Sequence, residues 1–174
     1  MTTIKELTWD AHKRAESTRI MTDLLNNTIT DCMYSDLVYT KYLIYSELER
    51  KLSFQTACLP RAAAALSDWQ NMNHSMPRCL TTLEHYLAML RTMHERQLWA
   101  HAYVHYLAPL YGGQIIRKRI AHRFPVSIYE FDDAASAIAE IRSHVTVDMA
   151  PDANQAFDLT ADYYEQLYQS GSQS

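Results

Sequence analysis

The chain has 174 residues, 48% of them hydrophobic, with a formal net charge of −4 at pH 7. That length and hydrophobic share suit one domain with a real core and exclude a disordered chain. The charge gives no ground for nucleic-acid binding, the widely spaced Cys32, Cys58 and Cys79 give none for a disulfide framework or zinc knuckle, and no apolar run nears the ~20 residues of a membrane span.

The pattern is helical from the start. Ile4, Leu7, Ala11 and Ala15 make one apolar stripe at spacings of three and four. His12 lies on that stripe, with Glu16 one turn further along the same face. A satisfied core histidine is the plainer reading. The functional one is that Glu16 accepts the Nδ1 proton, fixes the tautomer and leaves Nε2 for a metal. Lys5, two turns earlier on that face, reaches toward an anionic group near whatever His12 binds. The opening segment MTTIKELTWDAHKRAE has no apolar signal core, so the expected location is cytoplasmic, with no membrane anchor and the cysteines as buried free thiols.

Thr30 or Asp31 caps the next segment, DCMYSDLVYTKYLIYSELERKL. Pro60 permits a restart through LPRAAAALSDW. NMNHSMPR reads as a loop, and Leu83, Leu87, Leu90 and His94 mark another face. His94, His101 and His105 stand seven and four residues apart, a spacing that suits metal ligands and equally suits packing histidines.

The segment from Leu98 to Arg123 contains AYVHYLAPLYGGQIIRKRI, which holds two of the three glycines in the chain, Gly112 and Gly113, just after Pro109. A mid-helix glycine pair costs about 2 kcal/mol relative to alanine, and proline removes a helix hydrogen bond. Either the helix kinks for packing, or its backbone must lie flat against something with no Cβ between. A flat aromatic ligand would explain the second.

Pro125 ends that segment, and VSIYEF is a connection more than a strand. Asp132 or Asp133 caps AASAIAEIRSHV, and Pro151 and Asp152 open the last helix, with Phe157, Ala161, Tyr164 and Tyr168 on its apolar face. The expectation is an all-α single domain of seven or eight helices over residues 1–168, with 169–174 as a short flexible tail. No carboxylate-bridged di-iron tetrad, nucleotide loop or serine-nucleophile elbow is present.

Taken together, IKELTWDAHKRAE, then AHAYVHYLAPLYGGQIIRKRI, then IRSH, MAP and YYEQLY resemble the heme oxygenase family over nearly the whole chain. The resemblance implies an all-α fold that clamps heme, substrate and cofactor at once, between a proximal helix and a kinked distal helix. It implies oxidative cleavage of heme to biliverdin, carbon monoxide and ferrous iron, with electrons from a reductase or ferredoxin. By position, His12 corresponds to the iron ligand and Glu16 to its partner. Lys5, Tyr103 and Arg142 correspond to positions near the propionates, and Gly112 and Gly113 to distal-helix glycines. The family's block resembles YTRYLGDLSGGQ. Here Val104, His105, Ala108, Pro109 and Tyr111 replace its threonine, arginine, first glycine, aspartate and serine. That aspartate orders distal water in the family, so His105 first and Tyr111 second are the candidates to replace it. The basic run Arg117, Lys118, Arg119 and Arg123 is a docking surface for the electron donor or a solvated helix face. Two other functions compete: a non-enzymatic heme carrier or sensor, and a thiamin-degrading enzyme of similar architecture, which would leave the His12–Glu16 pair without a purpose.

Overall fold

The computed structural model describes residues 2–72, 77, 78 and 80–171. Among these there are helices and no strand, in the order α1 Ile4–Leu7, α2 Trp9–Glu16, α3 Arg19–Asn26, α4 Asp31–Lys51, α5 Ala62–Gln70, α6 Thr81–Thr92, α7 Glu95–Tyr111, α8 Gly113–Ile120, α9 Ala134–His144 and α10 Ala150–Gly171. One residue separates α1 from α2 and α7 from α8, so the ten helices correspond to eight with two of them broken, against the seven or eight expected.

The first break has a local cause. Thr3 and Glu6 form a reciprocal capping box, which stabilises the short α1. Thr8 then turns its hydroxyl back to Ile4 O at 2.9 Å, and α2 restarts at Trp9. The stripe does not survive this break intact: Ala15 is buried but Leu7 is 46% exposed. The caps resolve as Thr30, which accepts from Met33 N, and Asp133, which accepts from Ser136 N. VSIYEF forms a 3-10 turn over Ser127–Tyr129. The buried Asp68 fixes this turn by accepting from Ser127 N and Ile128 N at 3.0 and 2.8 Å.

α7 is buried on nearly every side and packs against α9, α10 and α4. Next to it, α2 and α10 meet over Ala15, Ala153, Ala156, Phe157 and Ala161, with Ala100 of α7 in the same cluster. Alanines let these helices approach closely, and that contact sets where His12 sits. Arg14 adds ion pairs to Asp158 and Asp162 across the same seam. Elsewhere the core is rich in tyrosine: Tyr34, Tyr45, Tyr86, Tyr106 and Tyr163 are all fully buried. A buried hydroxyl needs a partner. Tyr34 donates to Pro125 O and Tyr106 to Glu49.

Two expectations need correction. Cys32 is exposed and Cys58 half-buried, because Cys32 falls on the solvent face of α4's first turn. Cys79 and half of the NMNHSMPR stretch lie outside the described residues. The last helix continues to Gly171, three positions past the expected boundary at 168, with Ser170 Oγ donating to Gln166 O.

The kink separates the roles of its two glycines. Neither has positive φ, and Gly112 is right-handed at φ −65, ψ −33. A Cβ on Gly113 would stand 2.6 Å from Tyr129 Cδ1, whereas one on Gly112 would meet only Ala108 O at 3.5 Å. Gly113 is therefore a packing glycine, and Gly112 is one that the protein's own packing does not require. Gly113→Ala is expected to cost about 1–3 kcal/mol of stability through overpacking. Gly112→Ala is expected to gain up to about 1 kcal/mol from helix propensity. Urea unfolding of both variants checks this, and equal signs would contradict it.

Candidate functional site

A cavity of about 800 Å³ opens between α1, α2, the α7–α8 kink and α10. His12, Glu16, Lys5, Tyr103, Arg142, His105, Tyr111, Gly112 and Gly113 all line it. Residues more than 100 positions apart in the chain thus share one wall.

His12 stands with its ring edge-on to Phe157 at 5.3 Å and near Trp9 at 5.8 Å. The expected proton arrangement is corrected here. Nε2, not Nδ1, faces Glu16 Oε1, at 3.2 Å. With the ring held between Trp9 and Phe157, its far edge is the one that reaches the glutamate one turn on. Both side chains are partly exposed, 36% and 48%, so the contact is screened and holds the imidazole weakly. A half turn of the ring exchanges each nitrogen with a ring carbon, so pairing Nδ1 with Glu16 takes a different side-chain rotamer.

At the mouth, Arg142 Nη2 donates to Tyr111 Oη at 2.9 Å. Tyr111 is 49% exposed and lines the cavity at its rim. Burial raises the pKa of the nearby Tyr103 phenol, while the Thr8 hydroxyl and Arg142 pull it the other way. Lys5 is exposed at the same end.

His105 occupies the opposite extreme of burial, at 1% exposure. Its Nε2 meets Tyr86 Oη at 2.7 Å, and the same oxygen meets His101 Nδ1 at 2.7 Å. His105 Nδ1 has no partner. The three-histidine metal reading is thereby overturned. His94 precedes α7 as its exposed cap residue, while His101 and His105 turn to Tyr86, and no group of three metal-binding side chains exists among the described residues.

Pro109 shapes this wall in a way the sequence did not disclose. It cannot donate to the carbonyl four residues earlier, which is His105 O. Tyr45 Oη supplies that bond instead, at 3.1 Å, from α4. The carbonyl stays satisfied and α7 continues through the proline to Tyr111. Tyr45→Phe should cost about 1–3 kcal/mol by leaving a buried acceptor unmet. Thermal unfolding of the variant measures this, and no change would mean that the carbonyl finds another donor.

Sequence reasoning also missed Tyr86 and Lys41. The available signal was composition: 12 tyrosines against 4 phenylalanines is a hydroxyl-rich core that must have internal partners. Lys41 lines the cavity with its ammonium 5.3 Å from the Tyr164 ring centroid. The only carboxylate among the described lining residues is Glu16, so the kink carries none.

The heme oxygenase family model matches residues 1–143. The chain belongs to the heme oxygenase family. It is 24% identical to heme oxygenase 2 of Mus musculus over 207 residues, covering 97% of the chain and 65% of that relative's length. It is 30% identical to the heme oxygenase of Takifugu rubripes over 139 residues, covering 69% of the chain and 50% of that protein. The fold matches the structure of heme oxygenase from Leptospira interrogans at a TM-score of 0.81 and 24% identity, over 94% of this chain and 97% of the other. It matches heme oxygenase-1 from the cyanobacterium Synechocystis sp. PCC6803, solved in complex with heme, at a TM-score of 0.78 and 22% identity, over 96% and 91% of the two chains.

Within this heme oxygenase fold the basic run is partly occupied. Arg117 pairs with Glu130 at 2.7 Å, and Arg123 donates to Asn27 O and Ile29 O while pairing with Asp31. Lys118 and Arg119 are exposed with no ion pair among the described residues. No helix among those residues is long and apolar enough to cross a membrane.

Proposed function

We propose that this member of the heme oxygenase family binds heme in the cavity and cleaves it oxidatively to biliverdin, carbon monoxide and ferrous iron, with electrons from a reductase or ferredoxin. The observation that carries the reading is one cavity of about 800 Å³, the size of a cofactor pocket, that joins His12 to the Gly112 kink. Two further features fit a flat, iron-bearing ligand. Gly112 leaves room that a Cβ would fill, and His105 Nδ1 is a buried polar atom on a cavity-lining residue without a partner.

His12 would hold the iron, with Glu16 as its partner once the side chain has changed rotamer. Lys5, Tyr103 and Arg142 would receive the propionates, Arg142 exchanging the Tyr111 hydroxyl for a carboxylate. Charge-assisted bonds of that kind are worth about 1.5–3 kcal/mol each. Bound heme supplies the redox-active iron at which dioxygen is activated. The chain orients it, excludes water with the apolar wall of Val104, Leu107 and Phe157, and offers His105 in place of the family's aspartate as the group that holds distal water. Lys118 and Arg119 are the cations left for an acidic donor protein.

The absence of a carboxylate at the kink favours one second reading, a heme carrier or sensor. Turnover with a reductase, in the presence of catalase to destroy free peroxide, separates the two. Biliverdin under those conditions supports the oxygenase. Heme that is only reduced, or that degrades only when peroxide accumulates, leaves the carrier.

A further inference from the structure

Tyr86, His101 and His105 carry a proton-count problem whose solution bears on the cavity. A phenol has one proton to give. Tyr86 Oη lies 2.7 Å from His101 Nδ1 and 2.7 Å from His105 Nε2, so it can donate to one nitrogen, and the other must donate to it. The remaining nitrogens, His101 Nε2 and His105 Nδ1, have no partner in the protein. Both rings are neutral. Burial lowers the pKa of His101 to about 4 and that of His105 well below its ordinary value, with Lys41 and His101 reinforcing the latter.

Three proton arrangements exist. In the first, His101 Nδ1–H donates to Tyr86, Tyr86 donates to His105 Nε2, and His105 carries its proton on Nδ1. In the second the direction reverses, which strands an N–H on His101 Nε2. In the third both rings donate, and the hydroxyl proton is stranded instead. A buried N–H without an acceptor is the rarer and more costly orphan. His105 lines the cavity and His101 does not. The first arrangement alone puts the unmet N–H on the residue that meets the cavity, where water or a ligand can accept from it.

We infer that Tyr86 and His101 lock His105 as the Nδ1–H tautomer, so that the cavity wall one turn before Pro109 presents a hydrogen-bond donor. Tyr86 and His101 are positioning residues that act through His105. Lys41, one turn before Tyr45 on α4, lines the same cavity with no carboxylate partner among the described residues. A donor and a cation without an acceptor suit a ligand atom that bears lone pairs or negative charge. The tautomer stands independently of heme; its place in oxygen chemistry rests on the proposed function.

Long-range ¹H–¹⁵N spectra of histidine-labelled protein without added heme test the assignment, with the His105 signals identified by their loss in His105→Gln. The expected result is a protonated-type Nδ1 and a bare-type Nε2. In Tyr86→Phe, Nε2 loses its donor, and both signals are expected to shift toward the Nε2–H form. A protonated Nε2 in the parent protein overturns the inference, and so does an unmoved His105 signal in a folded Tyr86→Phe. The parent spectrum decides alone if that variant does not fold. In heme-loaded ferrous protein with carbon monoxide, Tyr86→Phe is expected to raise the C–O stretching frequency by removing the oriented donor. An unmoved stretch overturns the donor's reach into the cavity. If the protein takes up no heme at all, the proposed function fails while the tautomer result still stands.

Discussion

His12→Ala is expected to cut heme affinity by more than about 100-fold and to abolish the spectrum of the histidine-ligated ferric form. Loss of a mere hydrogen-bond partner of a metal ligand typically costs 10–100-fold, and loss of the ligand itself removes the bond that the partner only tunes. The side chain is partly exposed, so the fold should survive its truncation. The vacated space should then accept free imidazole and recover a similar spectrum. Glu16→Gln is the graded companion: it keeps the shape, weakens the acceptor facing the ring at 3.2 Å, and should fall within the 10–100-fold range. Heme titrations followed by absorbance measure all three. An unchanged spectrum in His12→Ala would move the ligand elsewhere, with His105 next in line, an outcome that would also overturn its Nδ1–H tautomer.

The local grammar of this chain was readable, and its through-space partnerships were not. Helix periodicity and scarce glycine indicated an all-α domain, because both are properties of short windows. The caps at Thr30 and Asp133 follow from side chains that reach only three residues. The clustering of Pro109, Gly112 and Gly113 marked the kink correctly. Its causes lay elsewhere in the fold. Gly113 is fixed by Tyr129, which Asp68 holds through the 3-10 turn, and Pro109 is tolerated because Tyr45 replaces the missing donor. Neither partner sits at any sequence offset that propensity or periodicity reports. The same limit governed the histidines. The spacing of His101 and His105 was visible, but whether they face a metal or a phenol depends on α6, which contributes Tyr86 from outside the helix. The proton on His12 failed for a related reason. Spacing put Glu16 within reach, while the Trp9 and Phe157 rings decided which edge of the imidazole faced it.

Acid should destabilise the fold well before its carboxylates titrate. Unfolded, an imidazole titrates near 6.5. In the fold, burial depresses His101 to about 4 and holds His105 well below its ordinary value. Above pH 6.5 neither state binds the proton, and stability is flat. Between 6.5 and 4 the unfolded chain takes up a proton that the folded chain refuses, so stability falls as pH falls. At 1.36 kcal/mol per pH unit, His101 removes about 2 kcal/mol by pH 5, and His105 steepens the same fall. For a chain of this size each 2 kcal/mol lowers the melting temperature by roughly 4–8 °C. Carboxylates such as Glu140, held below their ordinary value, keep their contribution until pH falls beneath about 4.5, so the interval from 7 to 5 isolates the two rings. Urea midpoints across that interval measure the slope. His101→Gln should remove one histidine's share of it, since the glutamine amide can still donate toward Tyr86 but cannot be charged. A stability that stays level from pH 7 to 5 would mean that acid finds a place for a second proton beside Tyr86. The buried rings would then not be the neutral pair that a donor at His105 Nδ1 requires.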